Sequence, residues 1–129
     1  MRRVVLDASA LLTWFGPDAS RGRLRSEYEH GLLGVVAPRQ LTTHLLTALA
    51  AARGWPADRL VRVAAEVERL GFEFREPPMD EVAEWVARGL TAGQAGYAAL
   101  ASSLDLPLIT ADPELLRMAG TVARDTTDG

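Results

Sequence analysis

Short apolar runs that alternate with helix-period segments constrain this chain more than any other feature. "RVVLDA" at 3–8, "LLGVVAP" at 32–38 and "LPLIT" at 106–110 have strand length and little polar alternation, the pattern of strands buried on both faces. "FEFRE" at 72–76 and "TVARDT" at 121–126 add two further strands. Helical segments fall between them. One covers 20–30, and Leu41, Leu45, Ala48, Leu49 and Ala52 form the apolar stripe of a second, ended by Gly54 and Pro56. A third covers 56–70, and "PPMDEVAEWVARGL" at 77–90 is entered through its proline pair. In "TAGQAGYAALASSL" at 91–104, Thr91 and Gln94 have the spacing of a capping box. "DPELLRMAG" at 112–120 begins with Asp112 as N-cap and Pro113 at the first helical position. Strands alternating with helices predict an α/β fold with a central, mostly parallel sheet covered on both faces. With 129 residues, 48% of them hydrophobic, the chain can bury one core, so 1–125 reads as a single domain and 126–129 as a loose tail.

Composition removes several kinds of chemistry. The chain has no cysteine, which excludes disulfides and thiolate metal sites. It also has no lysine, so Schiff bases and the phosphate-cradling lysine loop are excluded as well. A net charge of −3 argues against a generally basic nucleic-acid binder. The densest basic stretch, "SRGRLRSEYEH", places Arg21, Arg23 and Arg25 just ahead of Glu27 and Glu29, so pairing four residues on makes it an ordinary solvated helix face. Asp7 interrupts the first apolar run, and no run approaches the ~18 residues of a membrane span. The expectation is a soluble cytoplasmic protein with no membrane partner.

In open α/β sheets, ligands bind beyond the carboxyl ends of the strands. Asp7 closes the first strand and Asp112 follows "LPLIT", so both acids reach one crevice if those strands are neighbours. Each has a purely structural explanation as a helix N-cap. For Asp7 that role could equally fall to Ser9, and an acid placed directly after "VVL" needs a solvating partner. Two convergent carboxylates would suit a hard cation such as Mg²⁺ or Mn²⁺.

"VVLDASALLTWF" resembles the N-terminal motif of PIN-domain proteins, in particular the small VapC-like toxins, where an Asp ends the first strand and a Ser or Thr follows two residues later. "VVAPRQLTTHLLTALAAA" is similar to the same family's strand, proline and helix segment, and "GYAALASSLDLPLITADPEL" to its C-terminal motif ending in T-A-D. The likeness spans most of the chain, in order. It implies a three-layer α/β/α domain and an Mg²⁺- or Mn²⁺-dependent endoribonuclease, in which an acid cluster holds the metal that activates water against a phosphodiester. It also implies an antitoxin-like protein partner and a homodimer.

The match has two departures. Where the family places a Glu, counted from Pro38, this chain has His44; where it places an Asp ahead of the tyrosine, it has Gln94. Of four expected acids, Asp7 and Asp112 remain. Two carboxylates balance one divalent ion, so at most one Mg²⁺ or Mn²⁺ is expected, with none bound as the alternative. His44 as a third ligand would shift preference toward Mn²⁺, Zn²⁺ or Ni²⁺. Gln94 could add a carbonyl oxygen, although the capping box already explains it. Glu114, on a first helical turn, favours the helix dipole instead.

Two functions follow as expectations. One is a reduced-site ribonuclease acting on RNA, with Asp7 and Asp112 on one metal and Ser9 or Thr110 orienting a ligand or water. The other is a catalytically silent PIN fold that binds protein or RNA. Phosphoacceptor receivers and haloacid-dehalogenase-like phosphatases also place an Asp after a first strand. They rely on a lysine, and the latter on a second Asp where Ser9 stands here, so both are set aside. Trp14, Phe15 and Trp85 suit either the core or a partner surface.

Overall fold

The computed structural model describes residues 1–16 and 22–126. In chain order the elements are β1 (Arg2–Leu6), α1 (Ala8–Leu12), α2 (Arg23–Glu29), β2 (Leu33–Ala37), α3 (Gln40–Arg53), α4 (Ala57–Leu70), β3 (Glu73–Phe74), α5 (Met79–Ala87), α6 (Ala92–Leu104), β4 (Leu108–Thr110), α7 (Pro113–Met118) and β5 (Ala123–Asp125). The expected strands and helices are all present, with ends moved by one to three residues. The start of the 20–30 helix and residues 127–129 of the tail lie outside the described residues.

The sheet is parallel throughout, in the order β3-β2-β1-β4-β5, and the helices cover it in an α/β/α arrangement. Val4, Val5 and Leu6 of β1 are all inaccessible to solvent, as the uninterrupted apolar run requires of a central strand with both faces covered. Successive strands run outward from β1 to β2 and β3, and the chain then returns to place β4 on the other side of β1. That reversal opens a crevice at the carboxyl ends of β1 and β4. Asp7 and Asp112 follow those two ends.

The third strand is shorter than "FEFRE" suggested. Only Glu73 and Phe74 pair with β2, Arg75 donates one further backbone bond to Ala37 at 2.9 Å, and the Pro77–Pro78 pair follows. Phe72 instead turns into the core, edge-on to Trp14 and Tyr28 at centroid distances of 5.8 and 5.2 Å. Trp14 and Trp85 are thus core residues, while Phe15 is only half-buried. The helix α6 is buried on every side from Ala95 to Ala101, as expected of a helix without a polar face. Its small residues let α3 approach closely: a Cβ on Gly93 would lie 3.0 Å from His44 Cε1, and one on Gly96 2.9 Å from Gln40 Nε2. Of the basic stretch, Arg23 pairs with Glu27 at 3.0 Å and Arg25 with Glu29 at 2.8 Å within α2, while Arg21 lies outside the described residues. Among the described residues no helix is long and apolar enough to cross a membrane.

Candidate functional site

Asp7 leaves β1 in an extended conformation (φ −96°, ψ 177°) and is itself the N-cap of α1. The alternative cap, Ser9, is not used as one. Asp7 Oδ1 accepts from the Ala10 backbone N–H at 3.0 Å and from Ser9 Oγ at 2.7 Å, while Oδ2 accepts from Thr110 Oγ1 at 2.6 Å. The partner that an acid after "VVL" requires is therefore supplied by three protein donors. Asp7 is 3% exposed and Thr110 is fully buried. Burial pushes the Asp7 carboxyl pKa up; the hydrogen bonds from Thr110, Ala10 and Ser9 oppose this, and the charge of Asp112 adds to it.

Proton counting shows that the network accommodates either protonation state of Asp7. Ser9 Oγ and Thr110 Oγ1 lie 3.2 Å apart, and each hydroxyl has one proton to give. With Asp7 ionised, both protons go to the carboxylate and the contact between the two hydroxyls carries none. With Asp7 protonated, Asp7 donates to Thr110, Thr110 to Ser9, and Ser9 back to Asp7 in a closed ring. The remaining lone pairs accept from backbone: Ala111 N donates to Ser9 Oγ and Asp112 N to Thr110 Oγ1, both at 2.9 Å.

Asp112 is equally engaged. Its Oδ1 accepts from Glu114 N at 2.9 Å, capping α7, and its Oδ2 accepts from Gln94 Nε2 at 3.0 Å. The orientation of the Gln94 amide is set twice over. Its Oε1 accepts from Thr91 N at 2.9 Å within the capping box, which leaves its NH₂ for the carboxylate. Gln94 therefore does more than cap: it ties the start of α6 to the start of α7. Glu114 faces Arg117 at 3.4 Å, away from this network.

His44 stands on α3 across the cleft, with Nδ1 3.1 Å from the Tyr97 hydroxyl. Burial, reinforced by the charge of Asp7, pushes the Tyr97 pKa up, so Tyr97 stays a phenol. The cleft holds about 390 Å³ and brings together Asp7, Ser9, His44, Gln94, Tyr97 and Asp112. Thr110 lies beneath it. All the residues picked out from sequence thus converge. Tyr97 and Gln40 did not stand out as site residues. Tyr97 shares a helix face with Gln94 three residues earlier, a usable signal; Gln40, which donates to Gly93 O at 3.0 Å, had none.

Whether these residues suit a divalent cation can be judged from their donor chemistry. With Asp7 ionised, each of the four carboxylate oxygens of Asp7 and Asp112 accepts from at least one N–H or O–H group, and the side-chain group facing Asp112 Oδ2 is an amide donor. His44 meets the Tyr97 hydroxyl through Nδ1. Among the described residues no three acids or histidines converge as a metal-holding group. Hard cations take several oxygen ligands, and two carboxylates with no third acid beside them among the described residues fit Mg²⁺ or Mn²⁺ poorly.

No protein-family model and no curated protein matches the chain. A solved structure does: "Crystal structure of PAE2754 from Pyrobaculum aerophilum" is similar at 28% identity with a TM-score of 0.71, covering 98% of this chain and 92% of that one. The likeness extends over the whole α/β/α fold.

Proposed function

We propose that this chain is a PIN-like domain of VapC type whose acidic cleft has become a closed hydrogen-bond network, and that it acts by binding a partner instead of cutting RNA. The observation that carries this is that each carboxylate oxygen of Asp7 and Asp112 already accepts from a donor within the protein, with the amide Nε2 of Gln94 3.0 Å from Asp112 Oδ2. A cation between the two acids would have to compete with these donors, the Gln94 amide N–H above all. An antitoxin-like protein is the partner class this reading favours, and a homodimer of the cytoplasmic protein is its expected assembly.

The test is calorimetric titration of Mn²⁺ and Mg²⁺ into the wild type, Asp7→Asn, and the double variant His44→Glu/Gln94→Asp, with an RNA cleavage assay on each. The wild type is expected to bind neither ion at millimolar concentration and to leave RNA intact. The double variant, carrying four acids, is expected to gain Mn²⁺ binding. One Mn²⁺ bound by the wild type, lost in Asp7→Asn and accompanied by RNA cleavage, would instead establish the reduced-site ribonuclease, with Asp7, Asp112 and a reoriented Gln94 or His44 as ligands.

A further inference from the structure

A second cleft, of about 560 Å³, shares no lining residue with the acid cleft. It lies where α3 turns into α4. Arg53, at the end of α3, is nine residues beyond His44, or about 14 Å along the helix axis. The floor is apolar, made by Phe15, Trp55 and Val63, and the rim carries three arginines, Arg59, Arg62 and Arg69, against one acid, Glu66.

Most arginines elsewhere in the protein are paired with an acid, Arg39, Arg88 and Arg124 excepted among the described residues. Arg2, Arg3, Arg23, Arg25, Arg75 and Arg117 each pair with a carboxylate. Arg53 and Arg59 have no carboxylate partner among the described residues. Arg59 Cζ sits 3.8 Å over the Trp55 ring and Arg53 Cζ at 5.5 Å from the same ring. Arg53 is held by the backbone carbonyls of Phe15 and Leu12. Arg62 and Arg69 pair only with neighbours on their own helix, Asp58 and Glu66. These exposed pairs are easily exchanged for others. A chain of net charge −3 thus keeps a local positive excess around an apolar floor.

We infer that this cleft docks an acidic amphipathic helix of a partner protein, with its apolar side chains on Phe15, Trp55 and Val63 and its carboxylates on Arg53 and Arg59. The inference rests on the binding function proposed above and names the chemistry of the partner. A helix presents apolar and acidic residues on one edge at spacings of three and four, which is what a groove with an arginine rim selects. A nucleic-acid strand fits less well. Arg59 already stacks on the Trp55 ring, where a base would need an open face, and the overall negative charge repels a polyanion. A second copy is the other occupant to separate, because α5 carries Asp80 and Glu84 beside Met79 and Val86, which are 58% and 43% exposed.

The experiment is fluorescence anisotropy on the full chain with a labelled helical peptide of about 14 residues built from Leu-Leu-Glu-Glu repeats, and the same peptide with Lys for Glu. The Glu peptide is expected to bind, more weakly as salt rises, and to lose about tenfold or more in affinity in Arg59→Glu and in Trp55→Ala. Arg59→Glu should gain affinity for the Lys peptide, a reversal that misfolding cannot produce. Absence of Glu-peptide binding below about 1 mM, or equal binding of both peptides, would overturn the inference. So would displacement of the peptide by oligouridylate, or a sedimenting dimer that Arg59→Glu dissociates. The RNA cleavage assay judges the underlying reading separately. Peptide failure in a protein that leaves RNA intact removes only the groove, whereas cleavage with Mn²⁺ removes the reading whatever the peptide does.

Discussion

The two clefts share an α/β scaffold and treat their polar groups in opposite ways. In the acid cleft, at the ends of β1 and β4, every carboxylate oxygen of Asp7 and Asp112 accepts from a donor within the protein, and the hydroxyls of Ser9 and Thr110 each accept a backbone N–H as well. At the α4 cleft, Arg59 on the rim and Arg53 beside it face one indole with no carboxylate to meet them among the described residues. A network of this kind contributes to holding strands and helices together, and its donors compete with any incoming ligand. Charges left without a counter-charge contribute little to the fold and remain available to an incoming partner. The acid cleft should therefore answer to mutation in stability, and the α4 cleft in binding.

That contrast can be broken most directly at Thr110. Thr110→Val keeps the shape but removes the donor to Asp7 Oδ2 and the acceptor of Asp112 N in a fully buried position. Urea denaturation should register a loss of about 2–4 kcal/mol, and a loss below about 1 kcal/mol would mean that the network is not what holds the crevice. Gln94→Ala comes next. It removes both the reciprocal cap to Thr91 and the bridge to Asp112, for an expected loss of about 1–2 kcal/mol by the same measurement.

Asp7→Asn probes the same network through pH. Because burial raises the Asp7 pKa in the folded protein above its unfolded value of about 3.9, the folded state holds the proton more tightly. The stability this contributes is complete below about pH 3.9 and is lost as pH rises through the folded pKa. The amide of Asp7→Asn reproduces the protonated acid, with one N–H for Thr110 and an oxygen for Ser9 and Ala10. Thermal melts should show the variant gaining on the wild type as pH rises from 4 to 8, and a constant difference would show that Asp7 is not strained by its charge. The smallest stability effect belongs to the other cleft. Arg59→Ala removes one exposed stacking contact and should change unfolding free energy by no more than about 0.5–1 kcal/mol while it weakens peptide binding.

The fold was legible because its signals are local and periodic. Three apolar runs marked the central strands, Thr91 and Gln94 marked a capping box that is present, and Asp112 with Pro113 marked the start of α7. The convergence of Asp7 with Asp112 also followed from sequence, since parallel strands deliver their carboxyl ends to one edge. "FEFRE" was too long as a strand because the need to bury Phe72 against Trp14 and Tyr28 outweighed further pairing at the sheet edge. The α4 cleft gave no local signal, since its parts come from the end of α1, the α3–α4 turn and one face of α4.

Residue identity by itself thus determined an α/β fold with two acids at its crevice, and it singled out His44 and Gln94 as their candidate neighbours. Only the tertiary structure decided what those residues do. Hydrogen-bond partners separated by 18 and 103 positions meet once β1 and β4 lie side by side and α6 packs beneath the crevice, and those contacts turn Gln94 toward Asp112 and Thr110 toward Asp7. Propensity and periodicity act over a few residues, whereas the saturation of a buried carboxylate depends on donors that the chain brings together only on folding.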